Sequence, residues 1–152
     1  MDLAVKRLRP GALLPRRAYP DDAAFDLHAA VDVMLGPQER AVVPTGIALG
    51  LPPGVAALTL PRSGLAARSG ITVLNAPGLI DPGYRGEIQI VLLNTDRAEA
   101  FAVRPGDRIA QLLVVGLLDV GLVEVDELDD TPRGGRGFGS SGTGAGSAEG
   151  PR

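Results

Sequence analysis

A carboxylate and an aromatic ring lie three residues apart in the segment 78–87, which reads GLIDPGYRGE. Asp81 can open a turn, Pro82 fixes φ at its first corner, and Gly83 would supply the positive φ of a type II turn. Apolar residues flank the segment, so the pattern predicts a hairpin-like element that presents Asp81 and Tyr84 at one end of a sheet. The simpler alternative is a connecting turn in which Asp81 has no role beyond starting the turn.

The residues Arg62, Ser63 and Gly64 open a predicted short helix, 62–70, in which Ser63 can be the N-cap and Gly70 can end the helix. Free N–H groups at a helix N-terminus, together with an arginine, suit a phosphate. The alternative is that Ser63 only caps the helix and Arg62 is only solvated.

The segment 133–142, RGGRGFGSSG, has the composition of a phosphate cradle. Its glycines expose backbone N–H groups, and Arg133, Ser140 and Ser141 add donors. It differs from a P-loop, since no Lys-Ser/Thr pair follows the glycines. The alternative is a flexible tail, although Phe138 in such a segment suggests stacking on a flat partner.

Three other polar residues are candidates of a weaker kind. Asp26 lies in an acidic, loop-like segment and could face a hydrated cation or simply be a surface carboxylate. Gln111 interrupts an apolar run, so it either binds a ligand, satisfies neighbouring backbone or faces solvent. His28, the single histidine, is expected at the surface, and Asp107 is expected to brace a turn or an arginine.

The composition predicts an all-β fold with an aliphatic core. Hydrophobic residues make up 45% of the 152 residues but aromatic residues only 3%, and 21 glycines and 13 prolines interrupt the chain too often for long helices. About ten short strands and one short helix indicate a jelly-roll-like barrel. The strands are expected at 3–8, 31–35, 40–44, 47–51, 55–60, 71–74, 88–93, 101–103, 109–115 and 122–125.

Several classes of protein are disfavoured by what the chain contains. There is no cysteine, which excludes disulfides and thiolate metal sites. The net charge of −3 does not indicate nucleic-acid binding, and the longest apolar run, 112–118, is too short to span a membrane. The first residues lack the apolar core of a signal peptide, so a cytoplasmic location is expected.

The composition changes after Leu128, where eight of the 21 glycines fall between Gly134 and Gly150. Such a segment cannot bury enough surface to fold alone. We therefore expect a barrel domain, 1–130, and a Gly/Ser-rich tail, 131–152, that is mobile until a ligand orders it.

Five segments, in order, resemble the five motifs of the homotrimeric dUTPase family. They are 23–29, 61–66, 78–87, 104–112 and 133–142. The resemblance spans almost the whole chain and implies a β-clip barrel and a homotrimer with sites shared between subunits. It also implies Mg²⁺-assisted attack of water on the α-phosphate of dUTP, which releases dUMP and pyrophosphate. That activity keeps uracil out of DNA and supplies dUMP for thymidylate synthesis.

The resemblance implies a role for each matching residue. Asp81 would be the general base, since an aspartate is normally ionised at neutral pH and can accept a proton from water. Tyr84 would pack on deoxyribose and leave no room for a 2′-hydroxyl. The uracil edge would be read by the Asn75 side chain and the backbone of Leu79 and Ile80, with Gln89 as a weaker candidate.

The same resemblance assigns the phosphate end of the site. The residues implied to hold phosphates are Arg62, Ser63, Gly64 and Gln111. Gln111 would also help to place the attacking water, and Asp26 would contact Mg²⁺ through water. In the tail, Phe138 would stack on uracil, and the tail would close over the site. The phosphate contacts implied there are those of Arg133, Gly139, Ser140 and Ser141.

Two alternatives share this fold. A dCTP deaminase, or a bifunctional deaminase and dUTPase, would need a glutamate beside the pyrimidine, whereas Asn75 is followed by Ala76, Pro77 and Gly78. A non-catalytic nucleotide-binding regulator would not need Asp81 or the glycine-rich tail.

Overall fold

The computed structural model of the chain describes residues 2–137. These residues form eleven strands and one helix of seven residues, which confirms the all-β prediction. The elements are β1 (Ala4–Arg7), β2 (Phe25–His28), β3 (Val33–Leu35), β4 (Arg40–Pro44), β5 (Ile47–Gly50), β6 (Val55–Leu60), α1 (Ser63–Ser69), β7 (Ile71–Val73), β8 (Gly78–Ile80), β9 (Gln89–Asn94), β10 (Phe101–Val103) and β11 (Arg108–Gly116).

The strands pair into four antiparallel sheets. The largest has the order β2-β11-β6-β8, a second has the order β4-β9-β7, and two pairs, β1-β5 and β10-β3, complete the set. Strand β11 lies between β2 and β6, where Gln111 stands opposite Asp26 on one side and Leu60 on the other. The residues that matched three of the sequence motifs are therefore positioned by one sheet.

The core is aliphatic, as the composition predicts. Ile90, Leu92 and Asn94 of β9 are buried and alternate with more exposed residues, which is the period of two of a strand with one face on a core. Burial of a leucine or valine side chain stabilises a fold by about 1.5–3 kcal/mol. The rest of the cluster includes Leu27, Leu35, Val43, Ile47, Leu51, Ile71, Val103 and Ile109.

The predicted hairpin is wrong in one respect, because its two arms do not pair with each other. Strand β8 pairs with β6, whereas β9 pairs with β4 and β7 in another sheet. The Tyr84 N–H donates to the Asp81 carbonyl oxygen at 3.1 Å, so a turn does form. Gly83 is not among the glycines with positive φ, and the type II assignment is therefore also wrong. A turn that crosses between sheets is shaped by those two sheets, not by the twist of a two-stranded ribbon.

The helix starts one residue earlier than the N-cap prediction requires. Arg62 occupies the N-cap position without a side-chain cap, and Ser63 is already the first helical residue. Gly70 ends the helix with φ 63°, as predicted, and its N–H donates to the Ala66 carbonyl oxygen at 3.1 Å. The predicted strand 122–125 is wrong, because these residues form no ladder with any strand of the described chain.

The chain divides into a compact unit, Met1–Asp119, and a second unit, Val120–Arg152. All the helices and strands given above belong to the first unit. The described residues of the second, 120–137, are exposed. The domain boundary after residue 130 stays a prediction. Within the described part of the chain, no helix has the length and apolar character needed to cross a membrane.

Leu35→Ala should lower the free energy of unfolding by about 2–5 kcal/mol, because it leaves a cavity in the core. Met34→Ala, the matched control on the same strand, should change it by no more than about 0.5 kcal/mol. Leu35 is 1% exposed and Met34 is 66% exposed. Urea unfolding followed by circular dichroism measures both, and equal losses would contradict the orientation of β3.

Candidate active site

A cavity of about 350 Å³ opens beside β8 and the turn that follows it. It brings together six of the residues singled out in the sequence: Asn75, Leu79, Ile80, Asp81, Tyr84 and Gln89. The remaining lining residues are Val42, Thr59, Gly78, Glu87, Ile88 and Val91. Cavities of this size, with apolar walls and a few polar groups, suit a small organic ligand.

One wall of the cavity is the edge of a sheet. Strand β8 pairs with β6 on one side, and within the described residues its other side has no strand partner. The Thr59 hydroxyl donates to the Gly78 carbonyl oxygen at 3.3 Å, and a Cβ at Gly78 would overlap that hydroxyl and lie 3.1 Å from Asn75 Nδ2. An unpaired strand edge beside an amide side chain can recognise the edge of a planar base by hydrogen bonds.

The turn holds Asp81 and Tyr84 in different ways. The Tyr84 hydroxyl donates to the Glu87 carbonyl oxygen at 3.0 Å, and a Cβ at Gly86 would overlap the tyrosine ring. The ring is therefore fixed by its own loop while 46% of the residue stays exposed. Asp81 is exposed, and no group within residues 2–137 donates a hydrogen bond to its carboxylate. Its oxygens are available to a water molecule or a ligand.

A second group of charges surrounds Asp26. The Arg62 Nε donates to Asp26 Oδ1 at 3.1 Å, and the Arg108 Nη1 donates to Oδ2 at 3.1 Å. Arg62 also donates from Nη1 to the Arg108 carbonyl oxygen at 3.0 Å. Asp26 lies within β2 and is 6% exposed, so the expectation of a loop and the alternative of a surface carboxylate are both wrong. A carboxylate this buried needs partners of opposite charge, and two arginines supply them.

Gln111 belongs to this second group. It stands directly opposite Asp26 on β11, and cross-strand partners point to the same face of a sheet. The residue is half-buried, and its amide makes no hydrogen bond to any other described residue, so it does not satisfy neighbouring backbone. Ser63 and Gly64 follow Arg62 in the first turn of α1. Of the four predicted phosphate-binding residues, Arg62 therefore contacts Asp26, Gln111 lies opposite it, and Ser63 and Gly64 follow Arg62 in the chain.

The cavity and the Asp26 group are far apart in one chain. Gln111 aligns with Leu60 on β6, whereas Ile80 aligns with Ala57, three residues away, and β11 and β8 lie on opposite sides of β6. At about 3.3 Å per residue and about 4.8 Å per strand, Gln111 and Asp81 are separated by roughly 13 Å or more.

A family model described as dUTPase matches residues 11–142. The chain belongs to the dUTPase family. It is 57% identical over 145 residues to the deoxyuridine 5′-triphosphate nucleotidohydrolase of Thermobifida fusca, covering 95% of this chain and 81% of that one. It is 50% identical to the Corynebacterium efficiens enzyme of the same name, over 91% of this chain and 77% of the relative.

Solved dUTPases have the same fold. The dUTPase of Staphylococcus bacteriophage 80alpha with dUpNHpp superposes with a TM-score of 0.87 at 31% identity, over 93% of this chain and 99% of the phage chain. A mutant dUTPase from phage phi11 of S. aureus, described with a structural Mg(II) ion, superposes with a TM-score of 0.79 at 28% identity, over 86% and 100% of the two chains. The jelly-roll-like prediction is confirmed.

The dUTPase motif at 23–29 also contains His28, which is not a surface residue. It is half-buried, and its Nδ1 is buried without a hydrogen-bond partner among the described residues. Burial is the main cause that lowers the pKa of His28, and the nearby Arg108, Arg16 and Arg62 lower it further, against the opposing effect of Asp26. The prediction that His28 is a surface residue was wrong because residues 26 and 28 of a strand point to the same face, so His28 lies on the face of β2 that carries the buried Asp26.

The dUTPase motif in the tail is described only in part. The Arg133 Nε donates to the Arg136 carbonyl oxygen at 3.2 Å, and the Arg136 Nε donates to the Arg133 carbonyl oxygen at 3.0 Å. The other tail residues assigned from the sequence lie outside the described residues; they are Phe138, Gly139, Ser140 and Ser141.

Sequence reasoning missed three residues near the site. Arg108 pairs with Asp26 from 82 positions away, and Thr59 and Glu87 line the cavity. Nothing in the local sequence pattern selected Arg108. The expectation for Asp107 is confirmed, since its Oδ2 accepts from the Arg104 N–H at 2.8 Å and braces the turn.

The described residues contain no group of three or more His, Cys, Asp or Glu side chains that could hold a metal ion. Each carboxylate oxygen of Asp26 accepts one hydrogen bond from an arginine. A carboxylate can accept about four hydrogen bonds in all, so Asp26 can still accept one from water. The donor set thus fits an indirect contact through metal-bound water better than direct ligation. Mg²⁺ commonly keeps several waters and is held largely by substrate phosphates.

Arg62→Gln should lower the free energy of unfolding by about 1–3 kcal/mol, because it removes charged hydrogen bonds to a buried carboxylate. Arg108→Gln should lower it by less than about 1 kcal/mol, since that side chain is more exposed to water. The two side chains are 22% and 49% exposed. Urea titration compares them, and a larger loss for Arg108 would contradict the described geometry.

Proposed function

We propose that the chain hydrolyses dUTP to dUMP and pyrophosphate. The observation that carries the proposal is the cavity, because it unites an amide, an unpaired strand edge, an exposed carboxylate and a fixed aromatic ring. These are the groups needed to read a base, pack on a sugar and orient water. The nucleotidohydrolase relatives and the phage dUTPase with its bound dUTP analogue support the same reaction.

The base end of the substrate is assigned to β8. The Asn75 amide offers both a donor and an acceptor, and the backbone of Leu79 and Ile80 lies on the unpaired edge of the strand. Uracil presents a donor between two acceptors on one edge, so a strand edge and an amide complement it. We assign Gln89 a lesser role at the same wall. The narrow space beside the edge would exclude the methyl group of thymine.

The sugar and the reacting water are assigned to the turn. The Tyr84 ring would pack on deoxyribose, where a 2′-hydroxyl would collide with it. The exposed Asp81 carboxylate would orient a water molecule and accept its proton as the water oxygen attacks the α-phosphorus. The leaving group is pyrophosphate, whose charge must be balanced by cationic groups.

The phosphates are assigned to the Asp26 group and the tail. Arg62 is held by Asp26 and presents a planar fork suited to phosphate oxygens, and Ser63, Gly64 and Gln111 add donors beside it. When bound with the triphosphate, Mg²⁺ supplies positive charge that favours attack at phosphorus. Asp26 would hold a water of that ion. We further propose that the tail adds the groups inferred from its motif: Arg133, Phe138, Gly139, Ser140 and Ser141.

A shared site follows from the separation within one chain. Ideal sheet spacings put the backbones of Asp81 and Gln111 roughly 13 Å or more apart in one copy. We infer that the Asp81 and the Gln111 that serve one substrate come from different copies. We therefore propose a homotrimer in a cytoplasmic setting, with no nucleic-acid or membrane partner. The deaminase alternative is not favoured. Among the described residues that line the cavity, the one glutamate is Glu87, and it is engaged by Arg9.

A pyrophosphate-release assay with dUTP, dCTP, dTTP and UTP tests the function. We expect turnover of dUTP with Mg²⁺ and little turnover of the other three, since each differs at the base edge, the methyl position or the sugar. Ammonia release from dCTP would contradict the proposal. Tight binding of dUTP without turnover would instead favour a regulator.

The variant Asp81→Asn tests whether Asp81 is the general base that accepts the proton of water. It should preserve nucleotide binding and lower kcat by about 10²- to 10⁴-fold, because the amide cannot accept the proton of water. Binding is followed by titration calorimetry with dUpNHpp. An unchanged kcat would remove Asp81 as the base.

Removal of residues 129–152 tests the assignment of the tail. Every residue of the buried core precedes Gly116, so the shortened chain should remain folded and trimeric. It should lose about 10- to 100-fold in kcat/KM, since groups that position the substrate would be missing. Light scattering and circular dichroism provide the control. An unfolded product would show that the tail is structural, and an unchanged kcat/KM would show that it is dispensable.

A further inference from the structure

An ion pair ties the first loop of the chain to the segment that carries Tyr84. The Arg9 Nε donates to Glu87 Oε1 at 3.0 Å, and the Arg9 Nη2 donates to Oε2 at 3.1 Å. Both guanidinium contacts reach one carboxylate, so the pair is bidentate and fixes orientation as well as distance. The two residues are 78 positions apart in the sequence.

The carboxylate has a third donor. The Gly46 N–H donates to Glu87 Oε1 at 2.8 Å, at the turn between β4 and β5. Gly46 has φ 73°, and a Cβ there would overlap the Ala12 side chain and lie 3.5 Å from the Arg9 Cβ. Arg9 therefore packs against the backbone that also holds its partner. Only 17% of the Glu87 side chain is exposed, compared with 44% for Arg9.

The backbone beyond Glu87 is held at the same place. The Ile88 N–H donates to the Ile47 carbonyl oxygen at 2.8 Å, and the Ile88 carbonyl oxygen accepts from the Thr45 hydroxyl at 2.6 Å and from its N–H at 3.1 Å. Residue 88 is thus anchored independently of Arg9. The Glu87 side chain, which Arg9 and Gly46 hold, is therefore anchored just after the exposed turn in the chain.

Glu87 connects this anchor to the aromatic ring. Its carbonyl oxygen accepts the hydrogen bond from the Tyr84 hydroxyl at 3.0 Å, and the residue lines the same cavity as Tyr84. We propose that Arg9 is a positioning residue that, through Glu87, sets the Tyr84 ring and so the preference for deoxyribose over ribose. The proposal rests on the role of Tyr84 proposed above.

The physical argument concerns what Glu87 does without its partner. With Arg9 removed, a poorly exposed carboxylate keeps a single donor, the Gly46 N–H, and gains solvation by turning toward the cavity. The Glu87 carbonyl shares a peptide unit with the Ile88 N–H, which stays bonded to Ile47, so the carboxylate moves by side-chain rotation. It would then enter the space beside the Tyr84 ring and bring negative charge nearer a triphosphate. Discrimination between sugars depends on a close steric fit and is more sensitive to such a shift than overall stability is.

The test compares Arg9→Met and Glu87→Gln with the unmodified chain. For each, kcat and KM are measured with dUTP and with UTP, and the ratio of the two kcat/KM values is the readout. We expect the dUTP preference to fall about three- to tenfold in Arg9→Met, as for a coupled contact. Arg9→Lys, which keeps the charge without the fork, should recover part of it. The double variant should be no worse than the more affected single variant.

Two controls separate the possible outcomes. Arg97→Met makes the same change at an exposed loop position and should leave the ratio unchanged. Tyr84→Ala tests the role on which the proposal rests, and it should lower the ratio more than Arg9→Met does. If Tyr84→Ala lowers the ratio and Arg9→Met lowers only the melting temperature, Arg9 is merely structural and the inference is overturned. If Tyr84→Ala has no effect on the ratio, both proposals fall.

Discussion

Strand β11 pairs with β2 on one side and β6 on the other, and this double pairing positions the charged half of the site. This pairing places Gln111 between Asp26 and Leu60. Strand β6 ends at Leu60, two residues before Arg62 and the start of α1. The side-chain period of a strand is two residues, so a slip of one position would turn Gln111 to the opposite face. The alternation of buried aliphatic residues on these strands opposes such a slip, because it would expose the core. Core packing and site geometry therefore depend on the same register.

Charge balance around Asp26 links stability to binding. Two arginines and one carboxylate share the space, so the group keeps an excess of positive charge that favours an anion. Asp26 also limits the freedom of Arg62, which would reduce the entropy that its guanidinium loses on binding an anion. The buried Asp26 carboxylate therefore orients both arginine side chains and neutralises one of their two positive charges. His28 lies on the same face with its Nδ1 unpartnered among the described residues, and its burial disfavours a further positive charge there.

The turn at 81–84 gains its rigidity from two sheets. Strand β8 enters it from the sheet that carries the Asp26 group, and β9 leaves it in the sheet built on β4. The ion pair of Arg9 and Glu87 and the bonds of Ile88 hold the exit, while Thr59 and Gly78 hold the entrance. Catalytic groups on a turn supported in this way can stay exposed to substrate without losing their geometry.

The sequence by itself determined the features that depend on near neighbours. Proline and glycine spacing predicted short strands, and Gly70 predicted the end of the helix. The order of five motifs predicted the family, and the sequence singled out half of the residues that line the cavity. Only the tertiary structure decided the features that depend on distant partners. Asp26 meets Arg108 across 82 positions and Arg9 meets Glu87 across 78, and no local pattern encodes either pair. The conformation of Gly83 followed from the divergence of β8 and β9, which each found partners elsewhere. Long-range pairing is set by how all the strands share one core, whereas propensity and capping act over a few residues.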